Sequence, residues 1–104
     1  MPSLQSTKLK SKDKSTWTFF SNHGHAIILL SRQPDLKIRE IATEIGLTER
    51  AMIRIINDLV AAGYLFVKKS GRRNYYRVNL KGPFRHSIEQ SRTIGDVVSL
   101  FKEY

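Results

Sequence analysis

Three residues, Gly46, Leu47 and Thr48, separate two apolar stripes of helical period. That spacing limits the fold more than any other feature of the chain. Ile38, Ile41, Ala42 and Ile45 fall at i, i+3, i+4 and i+7, which makes one apolar face for a helix over Arg39 to Ile45. Met52, Ile55, Ile56 and Leu59 make the buried stripe of a following helix that reaches Ala62, with Thr48 as its N-cap and Gly63 closing it. Glu49 stands in the first turn of that helix, where the dipole favours a carboxylate. Gly46 supplies the left-handed residue that ends the earlier helix. With so short a linker the two helices must meet at a sharp corner, where small Ala42 allows close crossing and Leu47 fills the angle.

Elements on both sides of this corner are legible at lower resolution. Upstream, Asn22 is the expected N-cap of a helix running to about Arg32, with His25, Ile28, Leu29 and Arg32 at helical spacing and Pro34-Asp35 ending it. Leu36-Lys37-Ile38 has extended character. Downstream, Tyr64 to Lys69 and Asn74 to Val78 read as two strands joined by the turn Ser70-Gly71-Arg72-Arg73, a hairpin with a cationic tip. Gly82-Pro83 breaks the chain. A last helix follows from a Thr93-x-x-Asp96 cap to Lys102, with Ile94, Val97, Val98 and Phe101 on its apolar face. The expected class is α+β, mainly α: a three-helix core, a β-hairpin and a C-terminal helix. One small domain accounts for 104 residues. It is expected over 16–86, after a disordered basic arm at 1–15 and before a segment at 87–104 given to dimerisation.

The formal net charge of +9 becomes informative once it is placed along the chain. Residues 1–16 carry four lysines and one acid, and 17–63 carry five cations and five acids. Residues 64–86 then hold Lys68, Lys69, Arg72, Arg73, Arg77, Lys81 and Arg85 with no acid at all. A charge spread for solubility would not concentrate in this way; a localised excess has the form of a polyanion-binding footprint. The absence of cysteine excludes disulfides, thiolate metal sites and thiol nucleophiles. The longest apolar run, Ala26 to Leu30, is far below the ~20 residues of a membrane helix, and Met1 to Lys14 has no apolar signal core. These features point to a cytoplasmic protein, nucleoid-associated when bound, with no membrane partner.

A helix, a short glycine turn, a second helix and a basic hairpin follow the order of a winged helix-turn-helix. IREIATEIGLTERAMIRIINDLVAAGYL, over Ile38 to Leu65, resembles the helix-turn-helix of short MarR-like and ArsR-like transcriptional regulators. VKKSGRRNYYRV resembles their wing, with Gly71-Arg72 at the tip and Tyr76 as the inward aromatic. The resemblance implies sequence-specific binding of double-stranded DNA, with a recognition helix at 48–62 in the major groove. It also implies a two-fold homodimer.

On that reading the outward residues of the recognition helix are Thr48, Glu49, Arg50, Ile53, Arg54 and Asn57. Thr48 and the helix N-terminus suit a phosphate, Arg50 and Arg54 suit guanine, Asn57 adenine or phosphate, and Ile53 a thymine methyl. Glu49 can accept from a cytosine amine or serve only the helix dipole. Lys68, Lys69, Ser70, Arg72, Arg73 and Asn74 form the wing set, for backbone or minor groove. Trp17, Phe19 and Phe20 with Ile94, Val97, Val98, Leu100 and Phe101 are the expected dimer interface, against the rival in which the last helix packs on the first within one chain. A non-sequence-specific nucleic-acid binder and a winged-helix protein-interaction module are the alternative functions. His23, His25 and His86 are the only histidines, and no cysteine or carboxylate pattern completes a metal site with them. No nucleophile motif is present, so neither a cofactor nor an enzymatic activity is expected.

Overall fold

The computed structural model describes residues 16–101. The arm expected at 1–15 and Lys102 to Tyr104 lie outside them. Four helices and a hairpin make up the described chain: α1 (Asn22–Arg32), α2 (Ile38–Ile45), α3 (Glu49–Ala61), β1 (Leu65–Ser70), β2 (Arg73–Val78), a single 3-10 turn (Ser87–Glu89) and α4 (Ile94–Leu100).

Helix α1 is the centre of the packing. Its run Ala26-Ile27-Ile28-Leu29-Leu30 is buried on consecutive residues, not on one stripe. That is possible only for a helix covered all round, and α2, α3, β2 and α4 all pack against it. Leu30, Ile41, Met52 and Leu65 are the largest side chains with almost no exposure, so each of α1, α2, α3 and β1 sends one into the shared core.

The corner forms as its sequence requires. Gly46 adopts φ 91°, a left-handed conformation with open space where a Cβ would stand, and the N–H groups of both Gly46 and Leu47 donate to the Ala42 carbonyl at 2.8 Å. Helix α3 then starts on Thr48, whose hydroxyl accepts from the Ala51 N–H at 3.1 Å. Leu47 is half-buried beside the core.

Several boundaries differ from the sequence reading, each for a local reason. The N-cap of α1 is Ser21, whose hydroxyl accepts from the Gly24 N–H at 3.2 Å; Asn22 is the first helical residue and its side chain meets His25 at 3.3 Å. Ile38 belongs to α2, because Glu40 reaches back to accept from the Lys37 N–H at 2.8 Å and so fixes the start one residue earlier. Tyr64 precedes the first strand, and Arg73 opens the second. Antiparallel register pairs Leu65 with Val78 through Ser70 with Arg73, leaving only Gly71 and Arg72 in the turn. Helix α4 ends at Leu100, short of the Lys102 expected from its apolar period. The 3-10 turn at Ser87–Glu89, capped by His86, has no counterpart in the sequence reading.

After the hairpin the chain folds back tightly. Gly82 lies under the Tyr64 ring, where a Cβ would stand 2.7 Å from a ring carbon, and the Tyr64 hydroxyl donates to the Pro83 carbonyl. The N–H groups of Ile94 and Gly95 donate to Gly82 and Leu80 at 2.9 Å each. This return seats α4 on α1, with Ile94 buried within its own chain and the Phe101 ring edge-on to Phe20 at 5.9 Å. Leu30→Ala, which truncates the least exposed large side chain of the central helix, is expected to lower unfolding free energy by about 2–5 kcal/mol, measured by urea denaturation.

Candidate nucleic-acid interface

Helix α3 separates its residues cleanly by face. Met52, Ile55, Ile56 and Leu59 are buried, and Arg50, Ile53, Arg54 and Asn57, which share the opposite face at i, i+3, i+4 and i+7, are all exposed. Ile53 is 46% exposed between two arginines. Thr48 and Glu49 stand at the N-terminal end of that face, both exposed. Thr48 has a structural task in addition, since its oxygen caps the helix while its hydroxyl proton stays available to an acceptor.

Beyond Leu65 almost every residue of the hairpin up to its tip is exposed, so the wing projects from the body. Its second strand is tied to the body at two points. Tyr76 is buried, and its N–H donates to the Pro34 carbonyl at 2.9 Å, tying β2 to the α1–α2 linker. Arg73 is drawn to the same linker: its guanidinium donates to the Asp35 carbonyl at 3.1 Å and lies 3.9 Å from the Asp35 carboxylate. Asn74 is half-buried, with its amide 3.5 Å from the Tyr76 hydroxyl. Of the six wing residues named from sequence, Lys68, Lys69, Ser70 and Arg72 therefore stand open at or near the tip, while Arg73 and Asn74 are turned toward the body. Arg77 was not in that set. Its guanidinium lies over the exposed Phe66 ring, 4.6 Å from the centroid, a pairing that the hairpin register makes readable once the turn is fixed at Gly71-Arg72.

The three histidines are dispersed. His23 meets the Asp58 carboxylate at 2.8 Å and links α1 to the outer side of α3; His25 contacts Asn22; His86 accepts from the Ile88 N–H at 3.1 Å. Among the described residues no group of three or more His, Asp or Glu side chains converges as a metal site. An open cleft of about 1060 Å³ runs between the N-terminal aromatics and the C-terminal segment, over Phe19, Phe20, Ile27, Phe84 and Leu100.

Comparison with known proteins fits this geometry. Residues 23–65, covering α1 through the start of β1, match the family model described as winged helix-turn-helix DNA-binding. The chain carries a winged helix-turn-helix. The matched part of this winged helix stops at the root of the hairpin, so the wing itself rests on the observed structure. Among solved structures it is similar in fold to MepR, a transcription regulator of the Staphylococcus aureus multidrug efflux pump MepA, with 16% identity, a TM-score of 0.56, and coverage of 90% of this chain and 59% of that one. A second similar structure is AdcR, a zinc-dependent MarR family transcriptional regulator in its Zn(II)-bound state, at 25% identity and a TM-score of 0.49, covering 62% of this chain and 47% of that one. The chain thus spans between about half and three-fifths of the length of these regulators. Comparison with curated proteins gives no match.

Because the Thr48 oxygen caps α3, Thr48→Ala is expected to lower stability by about 1 kcal/mol, whether or not the residue also touches a ligand. Thermal or urea unfolding of the unliganded protein measures it.

Proposed function

We propose that this winged helix is a sequence-specific, double-stranded DNA-binding transcriptional regulator. The observation that carries the reading is the outward face of α3, on which Arg50, Ile53, Arg54 and Asn57 are exposed together. A solvated helix face has no use for an isoleucine at its middle, whereas a major groove offers thymine methyls to it and guanine and adenine edges to its neighbours. The helix-turn-helix is close to electroneutral and the hairpin with its exit holds seven cations without an acid. Base reading accordingly belongs to α3, and the salt-dependent affinity comes mainly from the wing.

Selection of bound sites from a random duplex pool tests this directly. Enrichment of a consensus is the expected result, and Arg54→Ala should relax one position of it at a cost of about 1–3 kcal/mol. Recovery of the unselected pool would sink sequence specificity and leave general nucleic-acid binding in its place.

Within the wing, the phosphate contacts belong to the open cations. Arg72→Ala is expected to reduce the slope of log Kd against log salt by about 0.9. Arg73→Ala should change it less, since that guanidinium is held by Asp35. Equal slope changes for the two variants would show that the tether opens on binding.

The active species in this reading is a homodimer. Ile94 is buried within its own chain, and Val97, Val98 and Phe101 are half-buried, so the surface left for a second copy is the most exposed part of the set drawn from sequence together with Ile88. It consists of Trp17, Phe19, Ile88 and Leu100, with Phe19 at 89% and Ile88 at 85% exposure. Light-scattering mass at micromolar concentration is expected to give twice the 12.0 kDa of one chain; a single-chain mass would remove the dimer.

A further inference from the structure

The outer face of the wing carries two exposed rings that duplex binding does not use. Antiparallel register pairs Phe66 with Arg77, Lys68 with Tyr75 and Ser70 with Arg73, and paired residues share a face of the ribbon. Leu65 and Tyr76, on the other face, are the buried ones; the Phe66-Lys68-Tyr75-Arg77 face is therefore the open one, with Arg73 at its tip end bent back to Asp35. Phe66 and Tyr75 are each 41% exposed, and as diagonal neighbours across the ladder they stand about 7–8 Å apart at the backbone. Each ring has a guanidinium above it, Arg77 at 4.6 Å over Phe66 and Arg73 at 6.0 Å near Tyr75, while Lys68 sits directly opposite Tyr75. No acid lies anywhere in residues 64–86.

Lysines alone would protect a projecting ribbon from edge pairing, and they do not require two exposed rings. Rings and guanidinium planes alternating on one open sheet face are what unpaired bases stack on, with the cations placed to meet the phosphates between them. Duplex DNA cannot use such a face, because its bases are stacked on each other and present only their edges. An acidic peptide would satisfy the cations but would leave the rings without planar partners.

We propose that this outer wing face, with Phe66 and Tyr75 as stacking groups and Lys68 and Arg77 as phosphate contacts, binds single-stranded DNA. It is a second nucleic-acid site, separate from the outward face of α3 and sharing only Lys68 with the wing's duplex contacts. The choice of DNA over RNA rests on the duplex reading above. The rest of the argument does not depend on that reading.

Fluorescence anisotropy with the full chain tests it, using labelled oligothymidylate of about 12 nucleotides, labelled oligouridylate and a short blunt duplex. The wild-type chain binds oligothymidylate. The double variant Phe66→Ala with Tyr75→Ala raises Kd for that strand by about tenfold or more and leaves duplex Kd within about twofold. The conservative pair Phe66→Tyr with Tyr75→Phe keeps the affinity, and unchanged circular dichroism melting shows that the wing remains folded. Arg54→Ala acts in the opposite sense, affecting the duplex and sparing the single strand, so failure of the α3 reading and failure of this one give different results. The proposal is overturned by a wild-type chain that ignores oligothymidylate at micromolar concentration, or by an alanine pair that binds it as well as wild type, which would take the rings out of strand binding. Equal weakening of strand and duplex also overturns it, and oligouridylate bound more tightly than oligothymidylate overturns the assignment to DNA.

Discussion

Everything in this domain depends on burying one helix from all sides. Five consecutive apolar residues, Ala26 to Leu30, cannot be hidden by a single neighbour, because on a helix they point around nearly the whole circumference. Helices α2 and α3 cover part of it, β2 another part, and α4 the remainder. The last of these explains the close fold-back at Gly82: without the tight turn beneath Tyr64, α4 could not return to α1 and Ile94 would be left in water. The exposed face of α3 is a by-product of the same requirement. Once Met52, Ile55, Ile56 and Leu59 are committed to the core, the opposite side of α3 has only one direction left, outward.

The parts of this arrangement that the sequence displays are those encoded over short spans. Two stripes of helical period around Gly46-Leu47-Thr48 are local, so the corner, the Thr48 cap and the outward set on α3 follow from them directly. The hairpin follows as well, since Gly71 and the β-branched and aromatic runs lie within a few residues of one another. Ala26 to Leu30 is visible as an apolar run, but periodicity alone treats it as one face of a surface helix; its central position depends on what α4 does more than sixty residues later. In the same way, Asp35 and Arg73 are 38 positions apart. Nothing local distinguishes Arg73 from Arg72, yet one is held against the body and the other is free. Ser21 and Asn22 are both good caps by residue type, and only the actual geometry of the first turn chooses between them.

Charge and shape are divided between different parts of the molecule. The electroneutral helix-turn-helix gains little from long-range attraction, so on the proposed reading the contacts of α3 are short-range and sensitive to the identity of the group they meet. The acid-free wing has the reverse character. Its attraction reaches about a Debye length, roughly 8–10 Å at physiological salt, and is indifferent to sequence. Such a division lets encounter and discrimination vary independently.

The link from the Tyr76 N–H to the Pro34 carbonyl, reinforced by Arg73 on Asp35, gives the hairpin a fixed bearing on the body before any ligand arrives. A wing hinged only at its root would have to surrender rotational freedom at the moment of contact, and that loss would be subtracted from affinity. Here the immobilisation is completed during folding. The α1–α2 linker, which holds β2 through Pro34 and Asp35, thereby sets the angle at which the cationic tip stands from the body.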